Sequence, residues 1–150
     1  MVYFMFRSAL EVSSIVLNVS HNVQIINVIR NPRDVCMSSF NHYRIINNYT
    51  GDLDLLTDMF LKNKGPLYGP FFVNVLSYWN RRHQDNILIV HYEEMQKDLP
   101  SVVRKIGKFL GKELSNDDVS KLCDHVSIDN MKKNPMCNFE TTLKVSYFNF

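Results

Sequence analysis

Val23-Gln24-Ile25-Ile26-Asn27-Val28-Ile29 runs without a break into Arg30-Asn31-Pro32-Arg33-Asp34, and this junction decides the fold. The first seven residues are nearly all apolar and rich in β-branched side chains. A run of that length suits a strand buried on both faces of a parallel sheet. Asn31 and Pro32 break the strand, and Asp34 can cap a new helix. That helix is predicted from Asp34 to about Ile46, with Val35, Phe40 and Ile45 or Ile46 inward. In open parallel sheets, ligands bind at the carboxyl ends of the strands. The following helix offers free N–H groups and the positive end of its dipole to an anion. Arg30, at the strand end, can hold a phosphate with its planar fork. Ser38, one turn into the helix, can offer its hydroxyl to the same oxygens, and Arg33 adds charge nearby. On these grounds alone two readings weigh equally. One is an anion site. In the other, Arg30 pairs with a carboxylate and Ser38 is an ordinary helix serine.

Outward from this junction the chain alternates apolar runs with helical patterns. Val12 to Val19 is rich in β-branched residues and reads as a strand. Downstream, a helix is expected over Leu53 to Lys62 with Leu55, Leu56, Met59 and Phe60 as its apolar face. Lys64-Gly65-Pro66 and Gly69-Pro70 are punctuation. Phe71 to His83 reads as an amphipathic helix with Val75, Tyr78 and Trp79 inward. Ile87 to His91 is a second buried strand, and Tyr92-Glu93-Glu94-Met95 leads into a short helix. Pro100 opens another helix, through Leu110, with Gly111 just past its end, where a left-handed residue stops a helix cheaply. Ser115 caps a helix toward His125, and the chain after Asn134-Pro135 looks irregular. Strands separated by helices argue for an α/β fold with a central parallel sheet. Only two or three strands can be counted, fewer than a doubly wound sheet usually has. The expectation is therefore one partial domain over residues 1–150.

Composition narrows the function classes. The chain has 150 residues, 45% hydrophobic and 21% charged, the balance of a soluble globular protein. A net charge of +2 is too small to argue for nucleic acid or an acidic membrane, although a local cluster can still meet an anionic ligand. The three cysteines, Cys36, Cys123 and Cys137, are odd in number and show neither CxxC nor Cys/His spacing. A disulfide framework and a structural metal are not expected, and a reducing, cytoplasmic setting fits best. No apolar run approaches the roughly 20 residues that span a bilayer, and Met1 to Leu10, interrupted by Arg7, does not read as a signal peptide.

With these residues in view, Arg30-Asn31-Pro32-Arg33-Asp34-Val35 with Ser38 resembles the 3′-phosphate-binding motif of cytosolic sulfotransferases. In that motif an arginine closing a central strand and a serine eight residues later bind the 3′-phosphate of 3′-phosphoadenosine 5′-phosphosulfate (PAPS). Both positions match. The likeness continues through Tyr68-Gly69-Pro70-Phe71, Tyr78-Trp79, Ile89-Val90-His91-Tyr92-Glu93-Glu94-Met95, Phe109-Leu110-Gly111 and Met131-Lys132-Lys133-Asn134-Pro135. It implies an incomplete P-loop-type three-layer α/β sandwich. It also implies a transferase moving a sulfuryl group from PAPS to a hydroxyl or amine of a small acceptor (a phenol, alcohol or amine), without a metal. Tyr92 and Ser127 are then the candidates for the adenosine side. Val126-Ser127-Ile128 stands where the family often has Thr-Ser-Phe, so the aromatic that would flank the base is replaced by Ile128.

Three family elements have no match. No Gly-rich phosphate loop precedes Val23. No histidine occupies Arg7 to Leu10, where the family's catalytic base would fall. No Arg-Lys-Gly loop follows Asn134. A base and preorganised cations are what sulfuryl transfer needs, so no catalytic residue is assigned and His21 reads as a loop histidine. The chain is expected to transfer sulfate poorly, and the alternative is a non-catalytic module that binds adenosine 3′,5′-bisphosphate. A nucleotide kinase-like domain fits less well, since no Walker-type Gly-Lys-Ser/Thr is present.

Overall fold

The computed structural model describes residues 2–4, 23–62, 64 and 70–135. Three parallel strands form its sheet: β1 (Val2–Phe4), β2 (Gln24–Ile29) and β3 (Ile87–His91), in that spatial order. β2 is central. It pairs Val2↔Gln24 to Phe4↔Ile26 on one side and Ile25↔Ile87 to Ile29↔His91 on the other. Among the described residues three helices lie between β2 and β3: α1 (Pro32–Ile46), α2 (Leu53–Leu61) and α3 (Phe71–Trp79). After β3 come α4 (Tyr92–Lys97), α5 (Leu99–Phe109), α6 (Asn116–His125) and α7 (Ile128–Lys133).

Strand alternation and this register sort the core. Val23, Ile25 and Asn27 share a face with Ile87 and Ile89, and Tyr78 of α3 packs on it. Ile26 and Val90, at 1% and 0% exposure, lie on the opposite face. Burial on both faces is why β2 and β3 read as apolar runs rather than alternating ones. A second cluster joins Cys36 and Tyr43 of α1 to Leu56 of α2, with Phe40, Tyr49 and Phe60 around it.

The chain divides into two compact units, Met1–Gln96 and Lys97–Phe150. The first holds the sheet and α1 to α3. In the second, α5 packs against α6 and α6 against α7, and the Arg104 guanidinium donates to Asn116 Oδ1 at 2.6 Å.

Several elements differ from expectation for local reasons. α1 begins at Pro32, not Asp34, because Asn31 is the cap: its Oδ1 accepts from Arg33 N–H at 2.9 Å, and Pro32 occupies the first turn, where its missing N–H costs nothing. Cys36 and Tyr43 fill its core face while Ile45 is half exposed. Leu55 of α2 also points outward, leaving Leu56 as the buried anchor. α3 stops at Trp79, short of His83, and turns follow it. Trp79 is 41% exposed instead of inward. β1 and α7 escaped the sequence reading. Val12 to Val19 and residues after 135 lie outside the described residues. No helix among the described residues is long and apolar enough to cross a membrane.

Candidate functional site

The carboxyl ends of β2 and β3 meet at one point. The pairing Ile29↔His91 puts the next residues, Arg30 and Tyr92, opposite each other, and Asn31 opposite Glu93. Both pairs interact. The Arg30 guanidinium carbon lies 4.5 Å from the centre of the Tyr92 ring, a cation–π contact. The Asn31 backbone N–H donates to Glu93 Oε1 at 2.8 Å. Two consecutive residues leaving β3 therefore hold two consecutive residues leaving β2.

Arg30 carries an incompletely satisfied guanidinium. Its side chain is 34% exposed, and Nε lies 4.0 Å from Asp34 Oδ2, an attraction too long to be a hydrogen bond. Nε is buried with no hydrogen-bond partner, and an unpaired buried donor is costly unless something accepts from it. Asp34 sits in the first turn of α1, on the side that faces Arg30. Ser38 is one turn further along the same helix and exposed. Residues four apart share a helix face, so Ser38 follows Asp34 on one face of α1. Pairing of Arg30 with a carboxylate is thus present, and Ser38 lies on the same face of α1 as that carboxylate. Asp34 is the acidic side chain that faces the Arg30 guanidinium.

Glu93 has a carboxyl held below the ordinary carboxylate range, chiefly by the Asn31 N–H it accepts and then by its own backbone N–H; the charges of His91 and Arg30 add smaller pulls. Tyr92 is half buried and its hydroxyl accepts from Gln96 Nε2 at 3.4 Å. Ser127 belongs to the second unit, where its Oγ caps α7 by accepting from Asn130 N–H at 3.3 Å. Of the four residues singled out, Arg30, Ser38 and Tyr92 lie in the first unit, and Arg30 and Tyr92 are in contact.

Within Tyr92-Glu93-Glu94-Met95 the sequence alone does not distinguish Glu93 from Glu94. The signal that finds it is register: once Ile29 pairs with His91, Glu93 falls beside the turn that opens α1. Among the described residues no group of three or more histidine, cysteine or acidic side chains could hold a metal ion.

Comparison with known proteins gives a consistent picture. A family model described as a sulfotransferase domain matches residues 7–149. A luciferin sulfotransferase of Photinus pyralis is 40% identical over 123 residues, covering 82% of this chain and 33% of that protein. Sulfotransferase 2A1 of Rattus norvegicus is 33% identical over 131 residues, covering 86% of this chain and 46% of that one. The structure of retinol dehydratase in a complex with retinol and PAP superposes with a TM-score of 0.74 at 34% identity, covering 80% of this chain and 36% of the other. The chain thus spans between a third and a half of the length of these relatives.

Proposed function

The chain belongs to the sulfotransferase family, and from that premise we propose that its β2–α1 junction grips the 3′-phosphate of PAPS, for transfer of a sulfuryl group to a small acceptor. The observation that carries this is Arg30: a guanidinium at the tip of the central strand, over the Tyr92 ring, with a buried N–H awaiting an acceptor. The donor set suits a phosphate. Arg30 supplies a charged fork, Ser38 an exposed hydroxyl on the face of α1 that carries Asp34, and the head of α1 the positive end of its dipole. Tyr92 and Ser127 are proposed for the adenosine side. When bound, the nucleotide supplies the sulfuryl group and a phosphate as leaving group.

The acceptor is proposed as a phenol, alcohol or amine, in keeping with the luciferin and retinol in the names of two relatives. The setting is proposed as cytoplasmic, and residues 1–150 as part of a single sulfotransferase domain. A second reading is a module that binds adenosine 3′,5′-bisphosphate without turnover. It is favoured by Arg7-Ser8-Ala9-Leu10, which lacks a histidine where the resemblance places the base.

Calorimetry with adenosine 3′,5′-bisphosphate, against 5′-AMP, tests the nucleotide site. Arg30→Ala is expected to weaken the bisphosphate by about 1.5–3 kcal/mol, roughly 10- to 150-fold, the range of a lost charge-assisted bond. Unchanged affinity overturns the assignment. A radiolabelled sulfate transfer assay then separates the two readings: turnover supports the enzyme, and binding without turnover supports the module.

A further inference from the structure

The geometry points to Glu93 as a positioning residue for the phosphate-binding turn, acting through the Asn31 backbone rather than by touching the ligand. The inference rests on the nucleotide site proposed above and deepens it. Arg30 is the last residue before the chain turns into α1. The direction of its side chain depends on the peptide that follows, because the Arg30–Asn31 peptide plane sets the backbone angle at Arg30. That peptide's N–H is not part of the sheet ladder or of α1. It is spoken for by Glu93 Oε1 at 2.8 Å, across 62 residues of sequence.

The neighbouring contact acts on the same residue from the side-chain end. Tyr92 lies 4.5 Å beneath the Arg30 guanidinium. Together the dipeptide Tyr92-Glu93 fixes Arg30 at both ends, the guanidinium by the ring and the following backbone N–H by the carboxylate. Asn31 is held twice as well, since its side chain caps α1 through Arg33 N–H at 2.9 Å. Its conformation, φ −48° and ψ 126°, lies outside the helical region, so the helix that follows does not impose it. A turn fixed in this way delivers a fork that does not have to be ordered when the phosphate arrives, which is how preorganisation raises affinity.

A carboxylate beside a phosphate site would ordinarily repel the ligand. Here the carboxylate is turned toward a backbone donor, with Oε1 committed to it. The charges around it on the elements that meet here are Arg30 and Arg33 at the head of α1, Asp34 in its first turn, His91 at the end of β3 and Glu94 in α4. Glu93 therefore belongs to the holding of the turn and not to the recognition of the anion.

Three variants of the chain test this. Glu93→Ala removes the acceptor and leaves Asn31 N–H to water. It is expected to weaken adenosine 3′,5′-bisphosphate about tenfold by calorimetry, while 5′-AMP, which lacks the 3′-phosphate, changes less than threefold. Glu93→Gln keeps an oxygen at the same place and is expected to restore affinity to within about threefold of the parent. Arg30→Ala is the reference for the site itself. The amide resonance of Asn31 in nitrogen-15 NMR provides a readout independent of ligand. It should move with the titration of Glu93 in the parent and cease to do so in Glu93→Gln.

If Arg30→Ala weakens the bisphosphate but Glu93→Ala does not, the positioning role is wrong and the nucleotide site stands. If neither variant matters, or the parent does not bind the bisphosphate, the nucleotide site falls and this inference with it. Equal losses of bisphosphate and 5′-AMP in Glu93→Ala, unrestored by Glu93→Gln, would mean general damage to the fold and also overturn it.

Discussion

At the residue scale, the middle of β2 carries an anomaly. Asn27 is 4% exposed, in the centre of a strand whose other residues, Gln24 at its start excepted, are apolar, and its amide nitrogen has no hydrogen-bond partner. Its neighbours on that face are Ile25 and, across the register, Ile89. A buried donor without a partner costs about 1–3 kcal/mol of desolvation. Valine is close in size, β-branched and free of that cost. Asn27→Val is therefore expected to raise stability by about 1–2 kcal/mol, seen as a higher urea midpoint with an unchanged slope. A lower midpoint would show that the amide has a partner in solution that Val cannot replace. Ser127 carries a different lesson. Its side chain already has a structural task at the head of α7, so a ligand role must compete with a cap or share its oxygen.

At the element scale, what the sequence disclosed depended on whether the deciding contact was local. The strand over Ile87–His91 and the helix Asn116–His125 were legible to the residue, because an apolar run bounded by a turn and a Ser-Asn-Asp-Asp cap are local signals. Gly111 takes φ +67°, the left-handed value expected just past α5. By contrast, the outward side of α2 and the exposure of Trp79 depend on which helix packs where, and periodicity does not carry that. Leu55 and Leu56 are equal by composition, yet only Leu56 meets Cys36 and Tyr43. The candidate site divides in the same way. Arg30 and Ser38 were readable from motif and spacing, whereas the Glu93 contact required the register of β2 on β3.

The best-formed cap carries its own prediction. Ser115 Oγ accepts from Asp118 N–H at 3.2 Å and donates to Asp118 Oδ2 at 2.6 Å, while Ser115 N–H donates to the same carboxylate oxygen at 3.0 Å. These bonds hold the Asp118 carboxyl below its ordinary value, the Ser115 hydroxyl contributing most. Asp98 and Glu93 are lowered by similar bonds, from Ser101 and from the Asn31 backbone. A carboxyl whose value is depressed by folding contributes stability that is present above its unfolded value and is lost as pH falls through the folded one. Urea midpoints should therefore hold near pH 7 and decline as pH drops below about 4. Ser115→Ala is expected to cost about 1 kcal/mol at pH 7 and to flatten part of that acid decline. Only part is lost, because the backbone N–H bond to Asp118 survives. A variant with parental stability and an undiminished acid decline would remove the capping box from the account.

At the scale of the whole molecule, large apolar side chains stand exposed along one helix of the described residues. On α3, Val73, Leu76 and Trp79 are 52%, 56% and 41% exposed. They recur every three residues, while Tyr78 of the same helix is buried against the sheet. A helix apolar on both sides belongs inside a larger structure, and the chain spans between a third and a half of its relatives' length. Contiguous exposed apolar patches drive association in water. Trp79 is the one tryptophan in the sequence, so its fluorescence reports this stripe alone. In dilute solution its emission is expected at the long wavelength of a solvated indole, open to quenching by acrylamide, with the Arg82 guanidinium 4.7 Å from the ring. As concentration rises, the emission should shift blue and lose its access to quencher while light scattering reports a larger species. Leu76→Lys puts a charge in the middle of the stripe and should abolish both changes without moving the far-ultraviolet circular dichroism. An emission that is blue and protected at every concentration, unaltered by Leu76→Lys, would mean that the outer side of α3 is already covered within a single chain.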